Sequence, residues 1–122
     1  VPRFGELEAA IMDVVWTAGH PLRVREVLEV LQRQRPLAYT TVQTVMEILR
    51  RKGWLSRERD GKAHRYAATR SREDYVAELM NEALAMAGDR TATLLRFFQG
   101  MDPDEVTQLR RALDAAHREE TP

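Results

Sequence analysis

A chain of 122 residues with 19 basic and 19 acidic side chains suits one domain, or one domain with a helical appendage, and is too short for a spacious enzyme cleft. The absence of cysteine excludes disulfides, thiolate zinc sites and cysteine nucleophiles; His20, His64 and His117 lack ligand spacing, so neither a metal nor a cofactor is expected. No apolar run reaches the length of a membrane span and no signal pattern opens the chain, so a soluble, cytoplasmic protein is expected.

From Phe4 to Thr17, Leu7, Ile11, Val14 and Val15 recur at helical spacing, and Gly19-His20-Pro21 stops that helix. Val24, Val27, Leu28 and Leu31 mark a second helix, ending near Pro36. A third follows in "LAYTTVQTVMEILRRKGWL". Thr40 is its expected N-cap, with Gln43 completing a capping box, and Lys52-Gly53 its end. Val42, Val45, Met46 and Leu49 fall on one face; Thr41, Thr44, Glu47, Ile48 and Arg51 point away from it, with Gln43 and Arg50 on the flank.

Next, "WLSRERDGKAHRYAA" reads as two short strands about an Asp60-Gly61 turn. That turn pairs Arg59 with Lys62, Arg57 with His64 and Leu55 with Tyr66, placing cations towards the tip. Three helices followed by a basic hairpin is the order of a winged helix-turn-helix. The expected fold is mainly α, with a winged domain over residues 1–70 whose β-wing has two or three strands, then a helical domain over residues 71–122.

In the second part, Ser71 caps a helix with Asp74 at its third position, and Tyr75, Val76, Leu79 and Met80 begin its apolar stripe. Gly88-Asp89 breaks the pattern, and Leu94, Leu95, Phe97 and Phe98 resume it. Asp102-Pro103-Asp104-Glu105 combines a cap, a first-turn proline and first-turn acids, and Val106, Leu109 and Leu113 form the last stripe. Two helices cannot hide so much apolar surface alone. These eleven residues are therefore the expected dimerisation set, and a twofold dimer would present two copies of the third helix.

The zero net charge conceals a division. Residues 40–70 carry eight basic residues against three acidic, a balance of +5, while residues 71–122 carry six against eleven, a balance of −5. Such a centre points to nucleic acid. Thr41, Gln43 and Thr44 supply the hydroxyl, amide and methyl groups that read base edges, and Thr40 lies at a helix start where a phosphate is favoured. Arg51, Arg57, Arg59 and Lys62 are the expected backbone anchors, with Arg65 on the other face of the hairpin a weaker one. Trp16 and Trp54 suit a core better than a base-stacking platform. No serine or lysine has an evident base partner and the acidic pairs lie in exposed sequence, so the chain is not expected to be an enzyme. A ligand-sensing winged-helix regulator, or a winged-helix module that binds protein, stays open on the residues alone.

The chain resembles the BlaI/MecI penicillinase repressors, a family of winged-helix transcriptional repressors. The resemblance rests on "GELEAAIMDVVW", "VREVLEVL" and "AYTTVQTVMEILRRKGWLSRERDGKAHRY", above all Tyr39-Thr40-Thr41-Val42, Lys52-Gly53, Asp60-Gly61-Lys62 and Tyr66. It implies a homodimer on a palindromic operator in double-stranded DNA, held by the C-terminal helices. It also implies release by proteolysis triggered through a membrane sensor. The family's cleavage position, commonly Asn-Phe, falls here on Arg96-Phe97. Copper-responsive relatives use C-terminal cysteines, which this chain lacks.

Overall fold

The computed structural model describes residues 3–120. In chain order these form α1 (Glu6–Ala18), α2 (Val24–Leu31), α3 (Tyr39–Arg51), β1 (Leu55–Asp60), β2 (Ala63–Ala68), α4 (Arg72–Ala85), α5 (Arg90–Gln99) and α6 (Pro103–Glu120). The chain divides into two compact units, one ending at Met80 and one beginning at Asn81.

In the first unit the expected helical stripes become a core. Ile11, Met12, Val15, Val27, Leu31, Val42, Met46 and Leu49 are buried, with Leu55 and Tyr66 of the hairpin among them. Gly19, at φ 70°, ends α1 in the left-handed region, where its N–H donates to the Val15 carbonyl. Leu22 then exchanges both backbone hydrogen bonds with Tyr66 at 2.8 Å, so the two-stranded wing carries one bridge of a third strand. Trp54 is buried and Trp16 half-buried, its indole N–H donating to the Arg70 carbonyl at 2.8 Å. Both therefore belong to the scaffold.

Three expectations need correction. The first concerns Thr40, which does not cap α3. The helix begins at Tyr39 from an extended Ala38, with no side-chain cap, and Thr40 lies inside the first turn. Tertiary contacts set that start: Leu37 packs against the core and its carbonyl accepts from the Gln32 amide at 3.1 Å, so the chain is already aimed when it reaches Ala38.

The second is the hairpin register. Asp60 pairs with Ala63, Arg59 with His64, Arg57 with Tyr66 and Leu55 with Ala68. The turn residues are thus Gly61 and Lys62, with Gly61 at φ 65° in the first central position, as a type II′ turn requires. Asp60 stays in the strand because its carboxylate is held by Arg65 and by Arg23.

The third is Tyr75, expected in the dimerisation set. It is buried in the first unit, stacked on Phe4 with ring centroids 4.1 Å apart, and its hydroxyl accepts the Phe4 N–H at 2.7 Å. Trp54 meets both rings edge-on.

The remaining helix starts follow their sequence signals. Ser71 and Asp74 bond each other reciprocally at the start of α4, at 3.1 and 3.0 Å. In the second unit, Asp89 accepts from the Ala92 N–H at 3.0 Å to begin α5, and Asp102 accepts from the Asp104 N–H at 2.8 Å beside Pro103. Neither α5 nor α6 has a buried residue.

Candidate nucleic-acid interface

The first half of α3 is built for presentation. Val42 and Met46 are wholly buried beneath it, and Thr40, Thr41, Gln43 and Thr44 are exposed above. The fixed apolar face determines which way the polar face looks. A groove of about 340 Å³ runs beside it, between the starts of α2 and α3 and the wing. Arg23, Arg25, Tyr39, Gln43, Lys62 and His64 line it. Tyr39 and Arg25 were given no site role by the sequence: Tyr39 is the i,i+4 neighbour of Gln43 on α3, and Arg25 is brought beside Gln43 only by the fold.

Two carboxylates tie the wing to the helices. Glu47, on α3, accepts from Arg50 on its own helix at 3.0 Å, from Arg57 on β1 at 2.8 Å and from the Tyr66 hydroxyl on β2 at 2.6 Å. The Arg50 and Tyr66 bonds hold its carboxyl down at about 2, with Arg57 adding to them against partial desolvation. The stability it contributes is therefore fully present above the ordinary carboxylate range and is lost progressively as pH falls from that range through about 2. At the tip, Asp60 joins Arg65 of β2 to Arg23 before α2, and those two cations, Arg65 first, lower its pKa. By sequence, Glu47 falls on the outward side of the helix without a role, whereas the structure turns it to the wing; its one signal was an acid three residues before Arg50.

These pairings redistribute the central cations. Arg50 and Arg57 hold Glu47, Lys52 holds Glu8, Arg65 holds Asp60 and Arg70 holds Glu78. Arg59 bonds the Gly61 carbonyl at 3.0 Å and stays at the wing tip. Among the described residues, Arg25, Arg51 and Lys62 have no acidic partner. The charge open to an anion is smaller than the sequence total and is concentrated around the groove and the end of α3.

The second unit is chemically different. Leu95 is 58% exposed, Phe97 55% and Leu113 64%, and Phe98 and Leu109 are also open. Leu94 and Val106 are half-buried. At the end of the first unit, Val76 and Met80 are exposed and Leu79 packs partly on the core. Arg96 and Phe97 both lie exposed on α5. No helix among the described residues is long and apolar enough to cross a membrane.

Comparison with known proteins gives this arrangement a context. The family model of the penicillinase repressors matches residues 4–115. The transcriptional regulator BlaI of Mycobacterium tuberculosis is 44% identical over 126 residues, covering 98% of this chain and 91% of that protein. Among solved structures, the DNA-binding domain of the repressor BlaI is 26% identical with a TM-score of 0.53. The monomeric form of Bacillus licheniformis BlaI, solved with the blaP half-operator, is 25% identical with a TM-score of 0.51. Each of the two covers 62% of this chain and 90% of its own. The winged helix, the near-full-length family match and the identity across both units lead to one conclusion: the protein belongs to the penicillinase repressor family, a family of transcriptional repressors and not of enzymes.

Proposed function

We propose that the protein is a DNA-binding repressor that works as a homodimer, its two α3 helices reading the halves of a palindromic operator. The observation that carries this reading is the exposed row Thr41, Gln43 and Thr44 on a helix whose opposite face is fully buried, beside cations with no acidic partner. Gln43 is the residue for adenine, through its bidentate amide, and the threonines offer hydroxyls and methyls to neighbouring base edges. Arg51, Lys62 and Arg25 anchor the backbone, and Arg59 and Arg65 stand at the wing as secondary contacts. The relative solved with a half-operator supports a monomer that engages half a site.

Dimerisation is assigned to Val76, Leu79, Met80, Leu94, Leu95, Phe97, Phe98, Val106, Leu109 and Leu113, because no residue of α5 or α6 is fully buried within one chain and Val76 and Met80 of α4 are open. Arg96-Phe97 sits within that set, so a protease answering a membrane sensor would separate the two readers by cutting there.

Selection of bound sequences from a random DNA pool, repeated across salt concentrations, tests the reading. Enrichment of a palindrome with affinity falling steeply as salt rises is the expected result; binding with no enriched sequence would remove the readout. Gln43→Ala should lose about 1–3 kcal/mol of discrimination at one base pair in each half-site, seen as relaxed preference at that position alone. Lys62→Ala should instead weaken all DNA alike and reduce the salt slope by about one.

A further inference from the structure

Glu47 lies on α3 one turn beyond Gln43, 21% exposed and turned to the wing, beside the reading residues, where a negative charge opposes DNA. A carboxylate there could accept from a cytosine amino group. Its oxygens are already engaged: Oε1 takes the Arg57 Nη1–H and the Tyr66 hydroxyl, and Oε2 takes the Arg50 Nη2–H. The two guanidinium groups are correspondingly drawn inward, each about one third exposed. Three charges thus sum to +1 where two arginines alone would give +2. The lock also spans three elements, α3, β1 and β2, so it fixes the wing relative to the reading helix.

Resting on the DNA-binding reading, we infer that Glu47 is a positioning residue that withholds Arg50 and Arg57 from backbone phosphates and so lowers affinity for DNA of any sequence. Phosphate contacts strengthen binding everywhere, and a repressor has to find its operator among a large excess of other sites. Holding two arginines back limits that background while leaving Thr41, Gln43 and Thr44 free to read.

Glu47→Gln tests this, because the amide oxygen can still accept from Tyr66 and Arg57 while the charge is gone. The probe is a random-sequence duplex titrated between low and moderate salt. Each phosphate contact released to the DNA should raise affinity about tenfold at 0.1 M salt and steepen the salt slope by about 0.9. Tyr66→Phe removes one hydrogen bond and no charge, so it should leave the slope where it was. A second measurement uses the unaltered protein: on adding the duplex, the Arg57 guanidinium resonances should hold their positions while those of the Lys62 ammonium move. A Glu47→Gln protein with an unchanged or shallower slope, or Arg57 resonances that move with those of Lys62, would overturn the inference. Failure of the unaltered protein to bind any duplex would instead overturn the DNA-binding reading on which it rests.

Discussion

Leu113→Asp is expected to turn the proposed dimer into a monomer and to weaken operator binding by roughly two to four orders of magnitude. The side chain is 64% exposed in the single chain, so an aspartate there costs the fold of one protomer little. In a dimer built from the α5 and α6 stripes, the same carboxylate would be buried against apolar partners, and an unpaired buried charge is severely unfavourable. Once the protomers separate, each half-site must be bound independently, and the effective concentration supplied by the second reader is lost. Sedimentation should show the monomer, while affinity for an isolated half-site stays close to that of the unaltered protein. A Leu113→Asp protein that remained dimeric would place the association surface elsewhere. Equal losses on the half-site and the full operator would point to damage within the winged domain instead.

The contrast between Leu113 and Tyr75 shows how far the sequence could be read. Helical periodicity located α1 to α6 and identified the buried faces of α1, α2 and α3, because a stripe such as Val42, Met46 and Leu49 has few other places to go. Periodicity states which side of a helix is apolar and not what covers it. Tyr75 and Leu113 both belong to stripes, yet one packs on Phe4 and the other stays open. The hairpin shows a related limit. Moving its turn by one residue shifts the pairing by two, and every side chain keeps the same face, so alternation cannot distinguish the two registers. What decides is that Asp60 avoids the positive φ a type I′ turn would impose on it, leaving that conformation to Gly61, and that Asp60 is captured by Arg65 across the hairpin and by Arg23 from before α2. The candidate interface divides in the same way. Thr41, Gln43 and Thr44 were legible because a local pattern sets their direction. Glu47's grip on the wing, and the arrival of Arg25 beside Gln43, depend on contacts between elements distant in sequence.

Tyr75→Ala should therefore act on the stability of the first unit rather than on association. Removing a buried aromatic side chain costs about 3–5 kcal/mol through lost burial and the cavity left behind. Here the loss includes the stack on Phe4 and the edge contact with Trp54, and the Phe4 N–H loses its acceptor. For a unit of this size the melting temperature should fall on the order of 20 °C. Tyr75→Phe separates the two contributions: the rings still pack, one hydrogen bond is lost, and the cost should be about 1 kcal/mol. Because the ring is buried against Phe4 and Trp54 within the first unit, the Tyr75→Phe protein should keep the dissociation constant of the proposed dimer while melting a few degrees lower. A weakened dimer with an unchanged melting temperature would return Tyr75 to the association surface, where its place in the α4 stripe alone would put it.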